Sequence, residues 1–245
     1  MYQPVKIAWG EYLGQFFNCG IVPTTKALNE YAKRPLNQAI VWAPSRMVDL
    51  AEEMLAAWQR DDSRGKPTLA YTTPIILVAL AQEISPIIND FNRGVSTPEF
   101  IVIEEDVKQR LFKLRSFSTD IRTQLVIAAH DDPTARALAS QLLLYFNAFQ
   151  NRRFYAAYQF AGFSIPWPIQ IALPDSPASL VPTDAKNLTL LTLDLTLHAT
   201  VPLYQAPKDG EQHDEQGDPT NPSDPAGYPK LLQINVNNVD PITSE

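Results

Sequence analysis

A regular alternation of apolar and polar residues marks the stretch LTLDLTLHATVPLY, residues 191–204. Every second position from Leu191 to Leu203 is apolar, which predicts a β-strand with one buried face. We expect the opposite face, with Asp194 and His198, to be a surface for partner contacts. Leu190 and Leu191 are adjacent, so we expect a bulge or bend there, because a strand keeps one inward face only while its phase is preserved. Pro202 should end the ladder.

Shorter apolar runs predict the other strands. QAIVWAP should be a buried strand that stops at Pro44, and EFIVIEE a short one. The β-branched run after Pro74 predicts a strand at a sheet edge or a bulge. RLFKLRSFSTDIRTQLVIAAHD predicts one long strand or two joined at a bend. SIPWPIQIALPD is bracketed by prolines and predicts an edge strand or one reached through rigid corners, with RRFYAAYQFAGF as the connection before it and residues 174–187 as a loop after it.

Helical spacing is clearest after residue 131. Asp132 is a good N-cap and Pro133 fits the first helical position. The i, i+3, i+4, i+7 stripe that should pack on a sheet contains Ala135, Leu138, Ala139, Leu142, Tyr145, Phe146 and Phe149.

Two further segments have helical features. SRMVDLAEEMLAAWQRD predicts a second helix, capped by Ser45, with an apolar stripe through Leu50, Leu55 and Trp58. The N-terminus leaves two alternatives open. Val5, Ile7 and Trp9 alternate as in a strand, whereas residues 12–17 suit a helical face that ends at Gly20.

These elements predict an α+β fold, with a mostly antiparallel twisted sheet covered by a few helices. We expect a single domain over residues 1–206, an acidic Pro/Gly-rich linker over 207–229, and a short C-terminal strand or arm over 230–245. The linker APKDGEQHDEQGDPTNPSDPAGYP contains almost nothing apolar, which predicts a solvated or flexible segment.

Charge is distributed unevenly along the chain. Residues 207–245 contain eight acids and two bases, a net charge of −6, which leaves −1 of the total −7 for the rest. A nearly neutral body argues against tight nucleic-acid binding, which needs a concentrated basic surface. We find no apolar run of membrane-spanning length and no signal-peptide pattern at the N-terminus. The single cysteine, Cys19, excludes an internal disulfide and a multi-cysteine metal site, and indicates a reducing compartment.

Candidate catalytic residues are few. His130, followed by Asp131 and Asp132, is most simply a strand-to-helix turn whose acids serve the helix N-terminus. Glu104, Glu105 and Asp106 fit a solvated turn.

The other candidates have equally ordinary interpretations. Cys19 fits a half-buried structural cysteine, His213 lies in the acidic linker, and SRGK at residues 63–66 lacks the glycine spacing of a phosphate loop. We therefore predict no catalytic, cofactor-binding or metal-binding residues and no cofactor.

One group of residues favours a subunit interface. Arginine is enriched at interfaces, and here basic residues recur beside aromatic ones. The candidate interface residues are Arg110, Lys113, Arg115, Arg122, Arg152, Arg153, Asp194 and His198. The alternative is that the basic side chains simply extend along a sheet surface into solvent.

The order of these segments resembles the tail-completion and tail sheath stabiliser proteins of contractile-tailed bacteriophages, which have a tail terminator-like fold. The resemblance spans about residues 5–206, with a departure in the middle, within residues 60–110, and it rests on layout. Its successive segments are WGEYLGQFFN, IVWAPSRM, TPIILVALA, DDPTARALASQLLLYFNAF, IPWPIQIALP and LTLDLTLHATVPLY.

The resemblance implies a non-enzymatic virion protein that forms a ring, commonly a hexamer, at the head-proximal end of the tail. Such a ring caps the tail tube, stabilises the last sheath ring and joins the tail to the neck, while DNA passes through its lumen without specific binding. The implied partners are further copies of the chain and the tube, sheath and neck proteins. The alternatives are a head-to-tail neck adaptor and, less favoured, a small α+β enzyme.

Overall fold

The computed structural model describes residues 2–44, 49–61, 73–83, 85–86, 99–106, 111–160, 162–172, 177–183 and 187–205. Five α-helices lie in this part of the chain: α1 (Tyr2–Cys19), α2 (Lys26–Tyr31), α3 (Leu36–Ala39), α4 (Ala51–Asp61) and α5 (Asp132–Asn147). Its strands are β1 (Ile40–Trp42), β2 (Ile75–Leu80), β3 (Ser85–Pro86), β4 (Glu99–Val102), β5 (Leu111–Ala129), β6 (Arg153–Phe160), β7 (Phe163–Ala172), β8 (Ser179–Val181) and β9 (Thr189–Gln205).

The fold is α+β with a mixed, mostly antiparallel sheet, as predicted. The contacts divide the chain into two compact units. The first contains residues 1–89, 118–158 and 166–201, and the second contains 90–117, 159–165 and 202–245. Single-domain organisation over 1–206 stays a prediction, and the predicted linker and arm lie outside the described residues.

In the first unit the sheet has the order β1-β2-β5-β9-β7-β6. β1 and β2 are parallel, whereas β2 pairs antiparallel with β5 from Ile75↔Ala128 to Leu80↔Thr123. β2 is therefore internal and fully buried, and the expectation of an edge or bulge at Pro74 is wrong. Pro74 precedes the strand, so its missing N–H costs the ladder nothing.

The aromatic segment after α5 is a strand rather than a connection. β6 alternates exposed and buried residues, which is the period of a strand with one covered face. Because β6 stands at the end of the strand order, β7 lies between β9 and β6 and is not an edge strand. The pairs of β7 with β9 run from Ile169 to Ala172, after both prolines of β7.

The N-terminus is one continuous helix, and the strand alternative is wrong. α1 buries Val5, Ala8, Trp9, Tyr12, Leu13, Phe16 and Phe17, which recur at helical spacing. The indole N–H of Trp9 donates to Thr123 Oγ1 on β5 at 3.1 Å, and its ring stacks on Phe154 of β6 at 5.8 Å. These contacts place α1 on the face of the sheet that bears the odd-numbered residues of β5.

α5 packs against α1. The Phe146 ring lies 5.9 Å from Trp9, and most of the predicted stripe is buried. Tyr145 is half-buried, and Phe149 is 92 % exposed because the helix ends at Asn147. The N-cap is Asp131, one residue before the expected position, and its carboxylate accepts from the Thr134 amide at 2.8 Å.

α4 covers the opposite face, and this explains the adjacent leucines. Leu190 packs with α4 in a cluster that also contains Ala51, Met54, Leu55, Ile75, Leu77, Ala79, Val126 and Ala128. Leu191, Leu193, Leu195 and Leu197 are buried on the other face. β8 pairs residue for residue with Leu190, Leu191 and Thr192, so no extra residue interrupts that ladder and the predicted bulge is wrong there. Residues 45–48, with the expected Ser45 cap, lie outside the described residues.

The second unit has its own small core. β4 pairs antiparallel with the first residues of β5, from Glu99↔Leu114 to Val102↔Leu111. Ile103, Phe112 and Phe160 are buried together, and Phe160 stacks on Tyr204 with ring centroids 4.3 Å apart. β9 thus continues past Pro202 to Gln205, contrary to the expected stop.

Candidate functional site

A polar face forms where α4 no longer covers the sheet of the first unit. Alternate residues of a strand point to the same side. Asp120 of β5 contacts His198 of β9, and Arg122 and Gln124 of β5 contact Asp194 of β9. These residues of the two strands therefore point to the same side of the sheet. We call this surface the polar face, and it contains Ser118, Asp120, Arg122, Gln124, Arg153, Gln170, Asp194, Thr196, His198 and Thr200.

The Asp120–His198 pair lies at the centre of this face. The carboxylate of Asp120 contacts Nδ1 of His198, and both side chains are about one-third exposed. Gln170 of β7 is the cross-strand neighbour of His198. Beside the pair is a depression of about 200 Å³ whose lining includes Ser118, Arg153, Pro168, Gln170, His198 and Thr200. Hydroxyl, amide, imidazole and guanidinium groups therefore converge on one small space.

Arg122 organises the neighbouring part of the polar face. Its guanidinium donates to both carboxylate oxygens of Asp49, at 2.8 and 3.1 Å, and lies 3.6 Å from Asp194. These hydrogen bonds to Asp49 raise the pKa of Arg122 above its ordinary value. Because all three side chains are about half exposed, the ion pairs add little stability, on the order of 0–1 kcal/mol each.

Gln124 joins the same network from β5. Its amide oxygen accepts from the Asp49 backbone N–H at 2.9 Å, and its amide nitrogen donates to Asp194 at 3.0 Å. Asp49 has a φ of 74°, a left-handed conformation that aspartate tolerates better than most residues. The network thus fixes the turn before α4 to β5 and β9.

The predicted interface residues do not form one group. The polar face contains four of them, Arg122, Arg153, Asp194 and His198. Arg152, which precedes Arg153 in the sequence, is exposed. Lys113 and Arg115 belong to the second unit, where Lys113 is half-buried and Arg115 is exposed. Arg110 lies outside the described residues.

Sequence reasoning missed the partners that complete the polar face, which are Ser118, Asp120, Gln124 and Gln170. The signal was present in part, since Ser118, Asp120 and Arg122 alternate along one predicted strand. The pairing of that strand with β9 could not be predicted, so the contact between Asp120 and His198 could not be predicted either.

The other chemical candidates occupy structural positions. His130 Nδ1 lies 3.1 Å from the Asn187 carbonyl oxygen, while Asp131 caps α5 and Asp132 pairs with Arg136, so the helix-terminus interpretation is confirmed. Cys19 is exposed rather than half-buried.

The predicted acidic turn is only partly solvated, because Glu104 and Glu105 are exposed whereas Asp106 is buried. Residues 63–66 and His213 lie outside the described residues. Among the residues that the structure describes, no group of three histidines, cysteines or carboxylates could hold a metal ion.

Ser118, His198 and Asp120 are the residue types of a serine hydrolase, but the geometry differs from one. Nucleophilic catalysis needs a hydrogen bond between the serine hydroxyl and the histidine, and amide donors for the oxyanion. Within the described residues, His198 contacts Asp120 but no hydrogen bond joins it to Ser118. Among the described residues, the depression thus lacks the serine–histidine hydrogen bond that acyl transfer uses.

No helix in the described part of the chain is long and apolar enough to cross a membrane. No protein-family model matches this chain, and a search of curated proteins gives no significant match.

Proposed function

We propose that the chain is a non-enzymatic virion structural protein. In this proposal it forms a hexameric ring at the head-proximal end of a contractile phage tail. The observation that carries the proposal is a set of exposed apolar side chains between residues 144 and 155. Leu144 is 72 % exposed, Phe149 92 % and Tyr155 56 %.

Such exposure favours a protein–protein interface. Exposed apolar side chains clustered along one segment mark interaction sites, and aromatic residues are enriched at interface cores. Phe149 stands in the short 3-10 turn Phe149–Asn151 that joins α5 to β6, so its ring protrudes beside the first residues of that strand. We call Leu144 and Phe149 the apolar ridge, since Tyr155 points to the side of β6 opposite Phe154, which contacts α1.

The position of β6 supports assembly from identical copies. It stands at the end of the strand order, and among the described strands it pairs only with β7. An edge strand offers unpaired backbone groups to another chain. A heterologous contact between an edge and a different surface of the next copy generates a ring when the rotation closes.

Charge supports a passive route for DNA. Residues 1–206 carry a net charge of −1, and Arg122 on the polar face is paired with Asp49 and Asp194. A lumen without excess positive charge lets DNA pass without specific binding. The same features fit the alternative of a head-to-tail neck adaptor. Tail tube, sheath and neck proteins are the proposed partners, and the virion tail or neck, assembled in the host cytoplasm, is the proposed location.

Light scattering coupled to size-exclusion chromatography tests the ring. We expect the wild-type chain to elute as a closed oligomer and a Leu144→Ser/Phe149→Ser variant to elute as a monomer. Leu180→Ser is the matched control, because Leu180 is 59 % exposed on β8, outside the ridge. A monomeric wild-type chain at high concentration, or a ring formed by the ridge variant, contradicts the proposal.

Electron microscopy of particles lacking the protein separates the two positions in the virion. Tails of wrong length or with loose sheath support a terminator. Finished but unattached tails support the neck adaptor.

A further inference from the structure

We propose that the depression beside the Asp120–His198 pair binds a carboxylate group. This inference is independent of ring formation, because it concerns one small site on the polar face. The lining presents five groups that can donate hydrogen bonds, which belong to Ser118, Arg153, Gln170, His198 and Thr200.

Arg153 is the principal anchor. It is the first residue of β6, it is exposed, and it lines the depression. A guanidinium presents its donors in a planar fork that matches the two oxygens of a carboxylate. Gln170, the cross-strand neighbour of His198, adds an amide that can donate to the same anion.

His198 supplies the second cation when its ring is protonated. Asp120 occupies Nδ1, so the protonated ring keeps the Nε2 N–H for a ligand. The Asp120 contact also fixes the orientation of the ring. The pair thus acts as an oriented donor, with the aspartate holding the histidine.

The charge of the site matches a monoanion. Among the lining residues Arg153 carries the permanent positive charge, and the Asp120 carboxylate is already engaged by the His198 ring. A phosphate dianion would need a more concentrated positive surface. The next acid along β9, Asp194, is engaged by Arg122 and Gln124 and does not compete for the site.

The volume sets the size of the ligand. About 200 Å³ is smaller than the roughly 300–1,000 Å³ of a typical drug-sized pocket. It suits an acidic side chain or a short organic acid, so the natural ligand is an aspartate or glutamate side chain of a protein partner.

NMR titration of the full chain with tetraglutamate tests the site, with tetraglutamine as the uncharged control peptide and inorganic phosphate as the competing anion. We expect saturable shifts of the Gln170 and His198 amides with tetraglutamate only. Arg153→Gln should weaken binding about tenfold or more, because it removes a charge-assisted hydrogen bond.

Arg152→Gln is the matched control, since Arg152 carries the same charge one residue earlier but does not line the depression. It should leave the affinity within about twofold. His198→Gln should also weaken tetraglutamate binding, because it removes the imidazole that Asp120 orients beside the depression. The other charged groups facing His198 are Asp120 from β5 and Arg153 from β6, whereas β7 contributes the neutral Gln170.

Far-UV circular dichroism confirms that each variant is folded. Three results would overturn the proposal: no saturable shifts with tetraglutamate, equal weakening by Arg152→Gln and Arg153→Gln, or tighter binding of phosphate than of tetraglutamate. Because the shifts are read residue by residue, failure here is distinguishable from failure to form a ring.

Discussion

Truncation of Leu197 measures how firmly the leucine face of β9 is packed. Leu197 is fully buried, and it lies between Leu195 at 2 % and Ala199 at 1 % exposed on the same face. Replacing a buried leucine by alanine removes its transfer free energy and leaves a cavity, at a cost of about 2–5 kcal/mol. We take about 3 kcal/mol for Leu197→Ala, since both neighbours on its face are also buried.

Urea denaturation followed by circular dichroism reads this cost. With an m-value of about 2 kcal/mol/M, a loss of about 3 kcal/mol lowers the midpoint by about 1–2 M. Leu180→Ala is the control, because Leu180 pairs with β9 from β8 but is 59 % exposed. Its effect should stay within about 0.5 kcal/mol.

A charge at the same position should be worse than a cavity. Leu197→Asp places an unpaired carboxylate in the core, which adds several kcal/mol to the cavity cost. The sum approaches the roughly 5–15 kcal/mol that holds a typical domain folded, so we expect no cooperative transition. Equal midpoints for Leu197→Ala and Leu180→Ala, or a normal transition for Leu197→Asp, would refute the packing of this face.

Three further predictions compare substitutions at related positions. Tyr158→Phe should leave stability unchanged or raise it by up to about 1 kcal/mol, because the buried Tyr158 hydroxyl has no hydrogen-bond partner among the described residues. Tyr31→Phe should cost about 1 kcal/mol, because it removes a hydrogen bond of 3.0 Å to the Ala39 carbonyl oxygen, and the urea midpoints of the two variants measure the difference. Burial raises the pKa of Tyr158 to about 12, whereas the tyrosine of the unfolded chain ionises at about pH 10. The stability that the neutral side chain contributes is therefore present below about pH 10 and lost between about pH 10 and 12. Absorbance at 295 nm should show a late-ionising tyrosine that Tyr158→Phe removes. Asp131→Ala should lower the melting temperature by the equivalent of about 1 kcal/mol as the cap of α5, and Asp132→Ala should lower it by less, since its ion pair is exposed; the reverse order would place the cap at Asp132.

Periodicity predicted the elements that bury one face against a single layer. The alternation of β9 and the stripe of α5 each report one covered side, so both were recognised from sequence. The bulge predicted from the adjacent Leu190 and Leu191 is wrong, because β9 is covered on both sides at that point. A strand between two layers loses its alternation, and sequence alone does not show where α4 begins to cover the sheet.

Aromatic residues caused the other errors. Val5, Ile7 and Trp9 fit a strand locally, but Trp9 reaches Thr123, 114 residues away, and only the helix presents Trp9, Tyr12 and Phe16 together. Phe149 was assigned to the stripe of α5 because an apolar residue at the right spacing suggests burial. The helix ends two residues earlier, at Asn147, and the Phe149 ring is exposed to solvent.

The candidate site was the least predictable part, for a geometric reason. Arg153, Asp194 and His198 are among the predicted interface residues, and the structure places them on the polar face, while their role in an interface stays a prediction. Their meaning depends on strand order, because β5 must lie beside β9 before Asp120 can hold His198. The same strand order gives the two arginines of the polar face different surroundings. Arg122 is paired with Asp49 and Asp194, whereas Arg153 lines the depression and is the cation that a ligand would meet.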